Sequence, residues 1–247
     1  MSDQRPAERG DLLPYYEDDL VTLYCGDARK LTPWLAADVL VTDPPYGRAW
    51  RQSSIKHRSG RGKSSPHEGI QGDTDTTTRD AILALWGNRP GILFGDLMLT
   101  PPPGTRQVSV YVKPPDAGTR GAFAQVRRDL EAIYFTGTHG AGIGGRSGAF
   151  RTNASNVGGN AGLAAKAGGH PHTKPQDVMQ ELILLTSGVV ADPFSGGGST
   201  LVAAKQLGRR IIGIELEERY CEIAAKRLSQ DSLFGDLVRV SSTGATS

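Results

Sequence analysis

Short apolar runs rich in β-branched and aromatic residues recur along the chain, at 21–24, 39–42, 92–94, 108–112, 133–136, 189–191 and 211–214. Runs of this length between turn residues predict seven strands. Between several of them the apolar positions fall three and four apart, most clearly over 175–186, 200–207 and 217–228, which predicts helices. Alternating strand and helix predicts an α/β fold with a mostly parallel seven-stranded sheet and helices on both faces. The run Ile211-Ile-Gly-Ile follows Gly208, a residue type that ends helices, and is expected to be a buried strand.

Two segments break the pattern. Residues 48–75 hold almost no apolar residues, and 137–169 are dominated by Gly, Ala, Ser and Asn. Loops this long inside a compact domain are functional or disordered as a rule. A length of 247 residues fits one domain, expected over 20–230, with 48–75 and 137–169 as insertions and 1–19 and 237–247 as mobile tails. Gly (32) and Pro (15) make up nearly a fifth of the chain, which agrees with long loops.

Charge and cysteine content narrow the classes. A formal net charge of +2 gives no global field, so a polyanion site has to come from local clustering. No apolar run approaches the roughly 18 residues of a membrane span, and the first twenty residues lack the apolar centre of a secretory signal. A cytoplasmic protein without membrane contact is expected. The two cysteines, Cys25 and Cys221, lie in unrelated contexts and suggest neither a disulfide framework nor a metal site. His57, His67 and His139 fall in polar loops and are expected to be loop residues.

The sharpest motif is Asp43-Pro44-Pro45-Tyr46, directly after the run at 39–42. Neither proline can donate to a strand ladder, so the chain must leave the sheet at its C-terminal edge, where open α/β sheets bind ligands. An acid, a rigid carbonyl and an aromatic ring are thereby held together, suited to an amino group on a flat base. The second motif is Asp192-Pro193-Phe194-Ser195-Gly196-Gly197-Gly198-Ser199-Thr200, between a strand and a helix. Glycines there let backbone approach a ligand and aim a helix N-terminus at it. The loop lacks the lysine of a P-loop and the third glycine of a dinucleotide fingerprint. Glu215 ends the next strand, where an acid commonly holds ribose hydroxyls.

Together these two motifs resemble the S-adenosylmethionine-dependent DNA amino-methyltransferases. The catalytic motif precedes the cofactor loop, the permuted order of the family's β group, so the resemblance implies a circularly permuted Rossmann-like fold. Leu23-Tyr-Cys-Gly-Asp27 resembles the segment before the catalytic strand, which implies that Asp27 lies near the cofactor adenine. His172-Thr-Lys174-Pro175 matches the family's Lys-Pro element, implied to contact the cofactor's methionine end. Val110-Tyr-Val-Lys113-Pro114 and Leu130-Glu131-Ala-Ile-Tyr134-Phe resemble the late-sheet segment that lines the target pocket. The chain departs in carrying Ser199-Thr200 where two threonines are commoner, and in a short, low-complexity region between Phe135 and His170 where target recognition is expected.

The stretch 48–63 carries four Arg, two Lys and Trp50 with no acid. Basic residues neutralise phosphates and an aromatic ring stacks on bases, so Arg48, Trp50, Arg51, Lys56, Arg58, Arg61 and Lys63 are expected to contact nucleic acid. The resemblance implies S-adenosylmethionine as cofactor, double-stranded DNA as partner with a flipped target base, no metal, and a monomer or homodimer of bacterial or phage origin. An Asp at position 43 is the family's common adenine form, which points to N6 of adenine. N4 of cytosine, RNA or a protein amide as acceptor, and a non-catalytic binding relative, remain alternatives.

Overall fold

The structure is a computed structural model and describes residues 13–48, 75–114, 119–120, 126–140, 145–152 and 174–242. Nine strands form one sheet: β1 (Tyr16–Glu17), β2 (Val21–Cys25), β3 (Val39–Thr42), β4 (Gly91–Gly95), β5 (Thr105–Val112), β8 (Leu130–Thr136), β9 (Ala149–Arg151), β10 (Val190–Asp192) and β11 (Ile211–Glu215). Their order is β1-β2-β11-β10-β3-β4-β8-β5-β9, while β6 (Thr119–Arg120) and β7 (Arg127–Arg128) pair separately. All seven expected strands are present. The sheet has nine rather than seven because β1 and β9 are short edge strands, Tyr16-Glu17 and Ala149-Phe150-Arg151, without an apolar run. β9 lies within the glycine-rich segment read as a loop and pairs parallel with β5.

β2, β11, β10, β3 and β4 run parallel in succession, and β8 joins β4 and β5 antiparallel. The central strands are buried almost throughout, as parallel strands covered on both faces must be. Alternation along each strand separates two cores. Val39, Val41, Ile92, Phe94, Val190 and Ile211 face three helices, α2 (Gln176–Leu184), α3 (Ser199–Gln206) and α4 (Glu218–Ser242), through Met179, Leu182, Leu201, Cys221 and Leu228. Leu40, Leu93, Ala191 and Ile214 face the opposite way, onto Ile82, Leu83 and Trp86 of α1 (Thr77–Trp86) and Trp34 of a 3-10 turn. The Trp34 and Trp86 rings stack 5.8 Å apart on that side.

Helices therefore cover both faces. α1 begins just after the polar segment 48–75 and was not among the clearest helical patterns. α4 continues to Ser242, well past position 228 where its apolar pattern fades and into the stretch expected to be a tail. Among the described residues no helix is long and apolar enough to cross a membrane, and no group of three His, Cys, Asp or Glu side chains could hold a metal ion.

Candidate active site

Four adjacent parallel strands each carry an acid at their C-terminal end or within two residues past it, at the same edge of the sheet. In spatial order β2, β11, β10, β3 they deliver Asp27, Glu215, Asp192 and Asp43 to one cleft of about 740 Å³. The parallel register Val190↔Val39 and Ala191↔Leu40 brings the ends of β10 and β3 together. Thr42 Oγ1 there donates to Asp192 Oδ1 at 2.6 Å.

The Asp192 side of the cleft is built from backbone and buried carboxylates. Asp192 is 1% exposed and also accepts from the Phe194 N–H at 3.1 Å. Burial raises its pKa to about 6, against the hydrogen bonds from Thr200 and Thr42, which lower it. Glu215 takes the N–H groups of Gly196 (2.7 Å, Oε2) and Glu217 (2.8 Å, Oε1). Its burial outweighs those bonds and raises its pKa to about 7. The loop closes through Ser195, whose N–H donates to Ile214 O and whose hydroxyl donates to Asp192 O, both at 2.9 Å.

Two glycines have steric reasons. Gly198 stands at the start of α3 with φ +81°, and a Cβ there would lie 2.9 Å from the Ala224 Cβ. Gly213 of β11 lets the loop fold over the strand, since a Cβ would meet Ser195 Oγ at 2.5 Å. At the far end Asp27 pairs with Arg29 at 2.7 Å, and that bond holds its pKa below the usual carboxylate range. Two carboxylates kept at raised pKa beside a helix N-terminus suit a ligand that brings hydroxyls and a positive charge. This donor set fits the nucleoside and cationic amino-acid ends of S-adenosylmethionine.

The Asp43 side is a closed polar network. Tyr46 OH donates to Asp43 Oδ1 at 2.8 Å. Lys174 Nζ lies 2.9 Å from Asp43 Oδ2, 2.9 Å from Glu131 Oε2 and 3.0 Å from Tyr46 OH. Lys113 Nζ completes the network at 2.6 Å from Glu131 Oε1. Burial acts to raise the Glu131 pKa, but Lys174 and Lys113 overcome it and hold it at about 2. Burial acts to lower that of Lys174, and Asp43 and Glu131 overcome it upward. Burial and the two carboxylates push the Tyr46 hydroxyl well above its ordinary value. Four charges cancel in pairs, as burial this deep requires.

Asp27, Asp43, Pro44, Pro45, Tyr46, Lys174, Asp192, Pro193, Phe194, Ser195, Gly196, Ser199, Thr200 and Glu215 all line this one cleft. Gly198 and Pro175 instead shape backbone at the starts of α3 and α2. The Lys174 ammonium sits among Asp43, Tyr46 and Glu131. Arg48 lines the cleft and pairs with Asp96, whereas Trp50, Arg51, Lys56, Arg58, Arg61 and Lys63 lie outside the described residues. His139 contacts the Gly91 and Thr136 carbonyls as a loop residue. Sequence reasoning named Lys113 and Glu131 only as part of a pocket-lining segment and missed Thr42. Glu131, an acid inside an otherwise apolar strand pattern, was the available signal.

Residues 147–226 match the DNA methylase family model. That segment holds Lys174, the glycine loop and Glu215, and leaves out Asp43 to Tyr46. The chain is 43% identical over 72 residues to the Type II methyltransferase M2.LlaDCHI of Lactococcus lactis subsp. cremoris, covering 28% of this chain and 27% of that protein. It is 45% identical over 69 residues to M2.DpnII of Streptococcus pneumoniae, covering 27% and 26%. The match thus spans about a quarter of the length of these relatives. Among solved structures, the M1.HpyAVI-SAM complex superposes with a TM-score of 0.58 at 19% identity, covering 85% of this chain and 99% of the other. PvuII DNA methyltransferase (cytosine-N4-specific) superposes with a TM-score of 0.57 at 14% identity, covering 86% and 87%. At these identities the likeness is one of fold. Residues 147–226 are thus similar to the DNA methylase family, and over most of the chain the likeness to these methyltransferases is one of fold.

Proposed function

We propose that this protein is a DNA methyltransferase that transfers a methyl group from S-adenosylmethionine to the exocyclic N6 of adenine. The observation that carries it is the arrangement of Asp192 and Glu215 beside Asp43 and Tyr46 along one cleft, with the ends of β10 and β3 in contact. S-adenosylmethionine supplies an activated methyl on a sulfonium. Asp192 and Glu215 would hold its cationic and hydroxyl ends, with the loop 193–198 and Asp27 lining the same cleft.

The target nitrogen is buried in a duplex, so the base has to swing out into the cleft at a cost of a few kcal/mol. Tyr46 stacks on it, while the Asp43 carboxylate and the Pro44 carbonyl accept its two amino hydrogens and turn the nitrogen lone pair toward the methyl carbon. With the cofactor bound, its sulfonium would supply the methyl and take back the electron pair of the broken C–S bond, and the nitrogen that gains the methyl would give up one proton to the Asp43 carboxylate and from there to water. Positioning and preorganised electrostatics carry this catalysis. The thiols take no part: Cys221 is buried and contacts the Glu215 carbonyl.

An Asp at position 43 supports adenine over cytosine, because cytosine-amino enzymes usually carry Ser there. The fold does not choose between bases, since a cytosine-N4-specific enzyme superposes as well as M1.HpyAVI does. Incubation with labelled S-adenosylmethionine and duplex DNA, followed by mass spectrometry of the nucleosides, tests the reading. N6-methyladenine is expected; N4-methylcytosine alone would overturn the base, and methylation of RNA or protein alone would overturn the substrate.

A further inference from the structure

We propose that Glu131 is a positioning residue of the amino-acceptor site, fixing the Lys174 ammonium and, through it, the Asp43 carboxylate and the Tyr46 hydroxyl. The inference rests on the reading of Asp43 as acceptor of the target amino group. Glu131 is on β8, opposite Tyr111 of β5, and the antiparallel pairing Gly95↔Ala132 brings it to the edge of the sheet at which β3 delivers Asp43. Its side chain is 16% exposed and each oxygen meets a different ammonium, Lys113 at 2.6 Å and Lys174 at 2.9 Å.

An ammonium has three N–H donors and no acceptor. Lys174 Nζ has three oxygen partners within 3.0 Å, one each from Asp43, Glu131 and Tyr46, so its donors are matched and its position is fixed. The rings of Phe94 (4.8 Å) and Tyr46 (5.4 Å) wall it in. A carboxylate clamped between two ammoniums stays ionised at neutral pH and relays no proton. Its effect is to divide the attraction of Lys174 between two anions. Without Glu131 the ammonium has Asp43 as its remaining carboxylate, settles onto it, and competes with the target N–H groups for the same oxygens. Lys113 keeps the whole cluster neutral, so Glu131 can be held at this depth without drawing Lys174 away from Asp43.

Two readouts separate this from a structural role and from failure of the functional reading. The first needs no DNA: acetylation of lysines by a water-soluble succinimidyl acetate, mapped by mass spectrometry. Lys174 is expected to react far more slowly than the exposed Lys226 in the wild type, and several-fold faster in Glu131→Gln, with Lys226 unchanged. The second is single-turnover methylation at saturating cofactor and DNA. Glu131→Gln is expected to lose about 10–100-fold in rate, the scale of a displaced outer-shell contact, with cofactor affinity and DNA KM nearly unchanged. In a Lys174→Met background the same change is expected to cost less than about twofold, because its route is already cut. Unchanged Lys174 labelling, additive rate losses, or loss of cofactor binding in Glu131→Gln would each overturn the proposal. Faster Lys174 labelling in a protein whose wild type methylates no DNA would refute the proposed function and support the hold of Glu131 on Lys174.

Discussion

Asp43 and Asp192 are both aspartates at strand ends in the same cleft, and their surroundings give them different work. Asp43 lies beside an ammonium and a phenol hydroxyl, with its side chain 25% exposed to the cleft. Asp43→Ala is expected to slow methyl transfer by at least about a hundredfold, the cost of losing a preorganised hydrogen-bonding partner, while cofactor affinity measured by calorimetry stays near normal. Asp192 is buried with no ion pair among the described residues, and burial raises its pKa to about 6, as it raises that of Glu215 to about 7. A cationic, hydroxyl-bearing ligand favours the ionised form of both and lowers both values. Cofactor binding should therefore release protons between about pH 5 and 7, and affinity should strengthen as pH rises through that window. Calorimetry in buffers of different ionisation enthalpy measures the release directly; uptake of protons would mean that the ligand meets these acids in their neutral form. In the free protein the sign for stability is the reverse. The folded state binds more protons than the unfolded state between about pH 4 and 7, so these two groups withdraw stability as pH rises there.

At the scale of elements, the glycine loop and α3 act as one device. Gly198 adopts φ +81° where the loop becomes helix, and α4 approaches closely enough that a Cβ would touch the Ala224 methyl at 2.9 Å. Gly198→Ala combines a left-handed backbone penalty of about 1–3 kcal/mol with that overlap. The variant is expected to melt several degrees lower and to bind cofactor more weakly, since the start of α3 has to move off its strand; an unchanged melting temperature would mean that α4 yields without cost. This loop was legible in the sequence because its requirement is local: glycines between a strand and a helix. The seven expected strands were legible for the same reason, each carrying a local apolar run. β1 and β9 were not, because neither Tyr16-Glu17 nor Ala149-Phe150-Arg151 forms an apolar run; β1 pairs with nearby β2, and β9 with β5 farther back in the chain. α1 follows a polar segment and has a weaker pattern, yet Trp86 packs on Trp34 and fixes the second face of the sheet. The network of Asp43, Glu131 and Lys174 lay furthest out of reach. Its members sit on three segments brought together by the antiparallel pairing of β8 with β4 and β5, which no single window contains.

For the whole molecule, the proposed activity sets a nearly neutral chain against a polyanionic partner. The formal charge of +2 gives no long-range field, so attraction to DNA has to come from cations near the cleft. Two cations that line the cleft are already committed to acids: Arg48 to Asp96, and Lys113 to Glu131. We propose that the stretch 49–63, with Arg51, Lys56, Arg58, Arg61 and Lys63 and no acid, contributes to phosphate neutralisation. Each phosphate contact releases counterions, so the logarithm of the association constant should fall linearly with the logarithm of salt concentration. Replacing Arg51, Arg58 and Arg61 by Gln is expected to reduce the magnitude of that slope by up to about three, roughly one per contact removed, and to weaken binding about equally for all DNA sequences. The cofactor site lies on other elements, so its affinity should not change. Titrations of labelled duplex across a range of salt concentrations measure the slope. An unchanged slope in the triple variant would make 49–63 a solvated loop and move the DNA-binding charge elsewhere on the surface, whereas loss of binding to one sequence alone would make the same residues readers of bases.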